Sequence, residues 1–238
     1  DCNRTLKFDE LFRAGKELGQ DYIATGHYVI VEHGEDGRYK LKKAVDLSKD
    51  QSYVLYSLSQ EQLSHTMFPL GKLHKSETRK IAEDHGFVNA NRKESQDICF
   101  IPDGDYAAFI ERYTGKKIDY GNFVDMDGNV LGIHRGIIHY TVGQRKGLGL
   151  ALKHPMYVQY IDVDNNEVVL GSNEDLFKRE LTAHNFNWVS IACPDAPFRA
   201  KARIRYKHKE APATITPLSE TEVKIVFDEP QRAITKGQ

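Results

Sequence analysis

The chain has 238 residues, 40% hydrophobic and 28% charged, with a formal net charge of −1. A length and composition of this kind predict one to three folded domains with real cores, and the near-zero charge confines any polyanion-binding surface to a local patch. No apolar run approaches the ~18 residues of a membrane-spanning helix, no signal peptide is visible, and three widely spaced cysteines without a CxxC pair argue against a disulfide scaffold or a cysteine-based zinc site.

In "FDELFRAGKEL" (8–18), Phe8, Leu11, Phe12 and Leu18 fall on one helical face, and Gly19 is a stop signal. "DYIATGHY" (21–28) reads as a short buried strand ending in a Gly-His turn, with His27 at its carboxyl end, where open α/β sheets gather ligands. A lone histidine there is equally readable as a structural hydrogen-bonder. "GRYKLKKAVD" has the pattern of a hairpin arm, "SKDQSY" (48–53) that of a polar loop. Ser59 with Gln62 three residues on forms a capping box, and "KSETRKIAEDHG" (75–86) predicts a helix from a Ser76 cap to Gly86. A helix feeding a strand is the α/β pattern, so residues 1 to about 100 read as the back half of an α/β domain.

Beyond Cys99 the character changes. "DYAAFIERYTG" gives one more helix with Tyr106, Phe109, Ile110 and Tyr113 on a face, and Asp127-Gly128 and Asn165-Asn166 mark two hairpin turns. From about residue 180 the pattern is nearly all β, through "FNWVSI", "FRAKARIRYKHK", "APATITPL" and "EVKIVFD", which predicts a small barrel or sandwich.

Three features carry chemistry. In "RAKARIRYKHK", Arg199, Lys201, Arg203, Arg205, Lys207 and Lys209 alternate with Ala200, Ala202, Ile204, Tyr206 and His208. On a strand that places six cations on one face, either a solvated outer edge or a surface that tracks phosphates. "HRGIIHYTVGQRKGLGLALKH" (134–154) holds four Lys or Arg residues, three glycines at 143, 147 and 149 that permit close backbone approach, and no acid; its bland reading is a mobile loop. Cys2 lies just ahead of a helix with Arg4 and Lys7 nearby, which favours a thiolate, whereas Asp97 beside Cys99 opposes one. Burial in a core is the competing reading for both cysteines.

Taken together, "CNRTLKF", "DYIATGHY", "SKDQSYVLYSLSQEQL", "FPLGKLHKSETRKIAEDHG", "SQDICFI", "YTVGQRKGLG" and "VFDEPQRAITKGQ" follow one another as in a known family. The chain resembles the tRNA-specific 2-thiouridylases (the MnmA/TrmU family). The resemblance implies the back half of an adenine-nucleotide α hydrolase-like (PP-loop) α/β domain over 1–104, a small mixed central domain over 105–178, and an incomplete C-terminal β-barrel over 179–238. It implies ATP-dependent transfer of sulfur from a cysteine persulfide to carbon-2 of the wobble uridine of tRNA, in the cytoplasm, by a monomer with no membrane association. Cys99 would hold the persulfide, received from a sulfur-relay protein, and Cys2 would be the attacking or resolving thiol, ending in a Cys2–Cys99 disulfide. A persulfide ionises more readily than a thiol, which weakens the objection from Asp97.

By the same resemblance Gly26 lines the ATP pocket, and His27, Lys49, Asp50, Gln51, Arg205, Tyr206 and Gln238 contact tRNA. ATP, with magnesium, would be held mainly by a "SGGVDS"-type loop that this sequence lacks, and no protein metal site is implied. The chain begins at Asp1 without a methionine, and a piece of a longer protein, unable to adenylate tRNA alone, is expected. The alternative from another class is a non-catalytic RNA-binding module with a translation-factor-like barrel. Cysteine chemistry separates the two, because only an enzyme needs Cys99.

Overall fold

The computed structural model describes residues 3–91, 101 and 104–237. It divides into two compact units, Asp1–Lys93 with Thr182–Phe198 and Ile215–Lys224, and Glu94–Leu181 with Arg199–Thr214 and Ile225–Gln238.

The first unit starts with a π-helical stretch, Asn3–Glu10, running into α1 (Leu11–Glu17). Its inward side is set by Phe8, Phe12 and Gly15, the last because Ile23 lies 3.2 Å from where a Cβ would stand. Leu11 and Leu18, expected on the same face, are exposed, since the wide π turn shifts the angular spacing away from 100° per residue. β1 (Ile23–Ala24) is only two residues long. β2 (Val29–His33) and β3 (Tyr39–Lys43) form the expected hairpin, with Val31 opposite Leu41. α2 (Gln60–Ser64) carries the predicted capping box: Gln62 N–H donates to Ser59 Oγ (3.1 Å) and Ser59 N–H to Gln62 Oε1 (3.0 Å). It leads into β4 (Thr66–Met67), which pairs in parallel with β1. Phe8, Ile23, Val29, Leu55, Leu58 and Leu63 close over one another as the core.

α3 (Lys75–Asp84) begins earlier than Ser76 predicts. His74 N–H donates to Glu77 Oε2 (2.6 Å), and Lys75 N–H donates to Asp46 Oδ2 (3.0 Å) from a loop far back in the chain. A distant carboxylate thus satisfies a free amide of the first turn. The stop at Gly86, with φ of 68°, is as predicted.

In the second unit, α4 (Tyr106–Thr114) runs from an Asp105 cap, whose carboxylate accepts from Ala108 N–H (2.9 Å), to left-handed Gly115. Its predicted apolar face contains no buried residue. β5 (Gly121–Val124), β6 (Val130–His134), β7 (Tyr157–Asp162) and β8 (Glu167–Gly171) make a sheet of order β6-β5-β8-β7, in which β5 and β8 are parallel. Both predicted turns join the expected arms, and Asn166 takes the left-handed conformation (φ 53°). Phe123, Tyr140, Leu148, Val158, Val168 and Leu170 form this unit's core.

The last strands, β9 (Phe177–His184), β10 (Phe198–Ala202), β11 (Ala211–Ser219) and β12 (Glu222–Arg232), form a sheet of order β10-β11-β12-β9. Among the described residues this sheet stays open and is not a closed barrel. "FNWVSI" is not a strand. Two of its carbonyls are taken up by side chains, Arg38 donating to Trp188 O (2.7 Å) and Gln60 to Val189 O (2.7 Å), while its own Ser190 Oγ accepts from Leu41 N–H (3.1 Å). Among the described residues no helix is long and apolar enough to cross a membrane.

Candidate functional site

The first candidate region lies past the carboxyl ends of β1 and β4. Thr25 N–H still donates to Met67 O (3.1 Å), and the chain then turns through Gly26 into His27. A Cβ at Gly26 would meet only Leu70 Cδ1 at 3.7 Å, an ordinary contact. The fold itself therefore does not demand glycine there, which fits a position kept bare for a close-lying ligand.

His27 is only 6% exposed. Its ring sits 5.8 Å from that of Phe8 and 6.3 Å, edge-on, from that of Phe68, and its Nδ1 is 2.8 Å from Thr25 Oγ1. Burial, with a smaller contribution from the positive charge of Lys7, lowers its pKa to about 4. At neutral pH it is an uncharged imidazole, not a cation for phosphate. Because the folded pKa lies below the unfolded one, the native state binds fewer protons than the unfolded chain in acid. The stability this contributes is complete above the unfolded value of 6.5 and is lost as pH falls toward about 4. His27→Asn, which keeps a polar atom at the Nδ1 position, is expected to flatten the decline in stability across that window. Urea unfolding at a series of pH values checks it, and an unchanged acid limb in the variant would contradict the assignment.

The Lys49-Asp50-Gln51 loop adjoins this turn. Gln51 Oε1 accepts from Tyr28 N–H (2.9 Å), while Gln51 N–H donates to Tyr28 O (2.9 Å), closing a two-bond ring beside His27. Asp50, 7% exposed, accepts from Ala44 N–H (3.0 Å) and from Ser52 Oγ–H (2.7 Å). Two of the three expected RNA contacts thus already serve to shape the loop, and Lys49 is half-buried beside them. Tyr28, which the sequence reading passed over, anchors the arrangement: its hydroxyl donates to Thr78 Oγ1 on α3 (3.0 Å).

The second region, within the other unit, corrects the expectation of a basic strand. β10 ends at Ala202, so only Arg199 and Lys201 lie on it, and residues 203–209 form an irregular turn. Three of the six cations have partners within the fold. Arg199 pairs with Asp228, and the pairing draws the Asp228 carboxyl below its ordinary range. Arg203 pairs with Glu210 at 3.1 Å. The like-charge repulsion that suggested a polyanion is relieved internally for these residues, and no six-charge face exists.

Arg205 does something else. Its Nη2 donates to Val142 O (3.0 Å), to Ala233 O (2.8 Å) and to Thr235 Oγ1. Tyr206 beside it is exposed. The Gly-rich basic segment and the chain's last residues therefore converge on one guanidinium. Arg232, missed in the sequence, adds a second brace: Nε donates to Asn173 Oδ1 (3.0 Å), Nη2 to Gly143 O (3.3 Å), and the guanidinium lies 5.2 Å from the Tyr157 ring centre. At Gly143, φ is 86° and a Cβ would stand 2.9 Å from Ala233 Cβ, so close approach is real there. Gly149 also has positive φ but open space around it, so it serves the turn alone. The segment is fastened, contrary to the mobile-loop reading.

Cys2, Cys99 and Gln238 lie outside the described residues. Cys193, the described cysteine, is half-buried with its Sγ 3.8 Å from Ser219 O. Among the described residues no cluster of three or more His, Cys, Asp or Glu side chains could hold a metal ion.

Comparison with known proteins adds the wider context. Three family models match in chain order: the tRNA methyl transferase HUP domain over residues 1–103, the tRNA methyl transferase PRC-barrel domain over 107–172, and the aminomethyltransferase beta-barrel domain over 178–238. The class is thus a HUP α/β domain followed by two barrel-type β domains, consistent with the mixed first part and β-rich remainder seen here. Proteins named tRNA-specific 2-thiouridylase MnmA align along the whole chain. The one from Clostridioides difficile (strain 630) is 51% identical over 238 residues, all of this chain and 66% of the relative; that from Acetivibrio thermocellus is 52% identical with the same coverage; and that from Halothermothrix orenii is 49% identical, again over 66% of its length. This chain belongs to the tRNA-specific 2-thiouridylase family, and it spans about 66% of the length of those curated relatives.

Proposed function

We propose that the chain is the sulfur-delivering and RNA-gripping part of a cytoplasmic tRNA 2-thiouridylase. The observation that carries this reading is identity near one half, sustained over all 238 residues, to proteins named for that activity. The geometry supports it in two places. The Gly26-His27 turn and the Lys49-Asp50-Gln51 loop are locked together through Tyr28 at the ligand-gathering end of β1. In the other unit, three separately predicted segments meet at Arg205.

In this reading Gly26 leaves room for ATP, and ATP when bound supplies the adenylyl group that makes the uridine O2 a leaving group. His27 and Gln51 hold the turn in shape; Lys49, with Tyr206 and Gln238, faces the tRNA. Cys99 carries the persulfide, loaded by a sulfur-relay protein. The Cys2 thiolate attacks the Cys99 sulfur; the outer sulfur leaves with the bonding electron pair as sulfide and attacks carbon-2 of the wobble uridine. The activated oxygen departs, and a Cys2–Cys99 disulfide remains for an external thiol to reduce. The C-terminal sheet is the incomplete barrel, and the first domain is the back half of a PP-loop fold.

The test uses the complete protein with ATP, an unmodified tRNA transcript and inorganic polysulfide as persulfide source, with the nucleosides read by mass spectrometry. ATP-dependent 2-thiouridine at the wobble position is expected. Tight tRNA binding with no thiolation under any of these conditions would favour a binding module and overturn the proposal.

A further inference from the structure

The six cations of "RAKARIRYKHK" point as a sequence to direct phosphate contacts, yet Arg205 spends its guanidinium on the protein. One nitrogen bonds Val142 O at 3.0 Å and Ala233 O at 2.8 Å, and it also reaches Thr235 Oγ1. Val142 and Gly143 are consecutive, and their carbonyls are held by two different arginines, Arg205 and Arg232. From behind, Gly143 N–H donates to Val158 O (2.7 Å) and Gln144 O accepts from Val158 N–H (3.0 Å), so the loop is stitched to β7 as well. Gln144 then folds over its own turn, with its side chain accepting from Thr141 N–H (3.0 Å) and donating to Lys146 O (3.0 Å). Arg145 and Lys146 follow directly and are both exposed. Lys207 and Lys236, on the two segments tied by Arg205, are exposed as well.

We propose that Arg205 is a positioning residue: it clasps the 141–146 loop to the 233–235 segment and so presents Arg145 and Lys146 as the pair that grips the RNA backbone. The inference rests on the RNA-binding reading above and adds residues to it. A lysine does not replace the arginine here: every one of these bonds comes from the guanidinium's terminal Nη2, and a lysine's stem is shorter and ends in a compact, strongly hydrated ammonium. Charge and clasp can therefore be separated by experiment. A direct phosphate contact would survive Arg205→Lys, whereas a clasp would not.

The measurement is affinity of the full 238-residue chain for an unmodified tRNA transcript by fluorescence anisotropy, as a function of salt. The double change Arg145→Gln with Lys146→Gln is expected to weaken binding about tenfold and to lower the salt slope by roughly 1.5, two phosphate contacts at about 0.7–0.9 each. Arg205→Lys, which keeps the charge, is expected to do nearly the same, and to cost almost nothing further when added to the double change. Amide exchange at Gly143 and Gln144 should rise in Arg205→Lys, and Thr235→Val, a milder cut to the clasp, should give an intermediate loss of about threefold. Wild-type affinity and wild-type exchange in Arg205→Lys would overturn the clasp while leaving the RNA-binding reading intact, and so would losses that simply add. If the Arg145/Lys146 double change has no effect on tRNA affinity, this surface is not the RNA grip, and the inference fails at its base. Should Arg205→Lys not fold, the Thr235→Val result alone decides, with unchanged affinity counting against the clasp.

Discussion

Replacing Cys99 with serine is expected to abolish thiolation by the complete protein, while tRNA affinity stays within about twofold of wild type. The reason is chemical. A serine hydroxyl cannot carry a sulfane sulfur, so the atom to be transferred has no place to wait. Affinity is spared because the exchange removes no cation and so leaves the counterion release that governs binding to the phosphate backbone unchanged. Loss of both properties together would mean that Cys99 is a core residue whose removal damages the fold; full thiolation in the variant would remove the persulfide role. Cys2→Ser separates the two proposed routes less sharply, since a resolving thiol affects turnover after the first sulfur has left.

The second large effect is structural and falls beside the proposed ligand-binding turn. At Gly71 a Cβ would lie 1.8 Å from Val29 O and 2.6 Å from Val29 C, contacts with backbone that no rotamer change relieves. Gly71 O also accepts from Val45 N–H (3.0 Å). Val29 is fully buried and follows directly on Tyr28, whose main chain is ringed to Gln51. Gly71→Ala is therefore expected to destabilise the protein by about 3 kcal/mol, at the upper end for overpacking, by pushing β2 away from the loop. The check is the urea midpoint, together with loss of amide protection at Tyr28 and Gln51. A variant as stable as wild type would mean that the close approach of these two backbones is not a fixed feature of the fold.

Elements whose cause is local were legible in the sequence. Ser59 and Gln62 cap α2 from three residues apart, Asp105 and Gly115 bracket α4, and left-handed Asn166 turns its hairpin with Asp162 accepting from Asn165. Elements whose cause is distant were not. α3 starts at Lys75, where Glu77 accepts from His74 N–H and Asp46, from far back in the chain, accepts from Lys75 N–H; the Asp46 contact has no signal near Ser76 in sequence. The alternation of Arg and Lys after residue 198 is a true period of two, but a period gives a strand only where neighbours complete the ladder. Here Glu210 takes Arg203, and the carbonyls of Val142 and Ala233 take Arg205, and the chain turns away after Ala202. Likewise "FNWVSI" has strand composition, yet its carbonyls are claimed by Arg38 and Gln60. In the two candidate regions the hydrogen-bonding duties of the side chains were not legible in the sequence. Asp50, Gln51 and Arg205 turn out to hold backbone in place, and Tyr28 and Arg232 enter only through contacts made across the fold.

The central claim is that Cys99 holds the sulfur that ends in the tRNA. The direct measurement is the mass of the Cys99 peptide from the complete protein, taken after loading with polysulfide and again after a single turnover with ATP and tRNA. The account predicts one added sulfur atom on Cys99 at the first point, then its disappearance, with a Cys2–Cys99 disulfide and one 2-thiouridine formed for each sulfur lost. Sulfur arriving in the tRNA while Cys99 never carries any would contradict it.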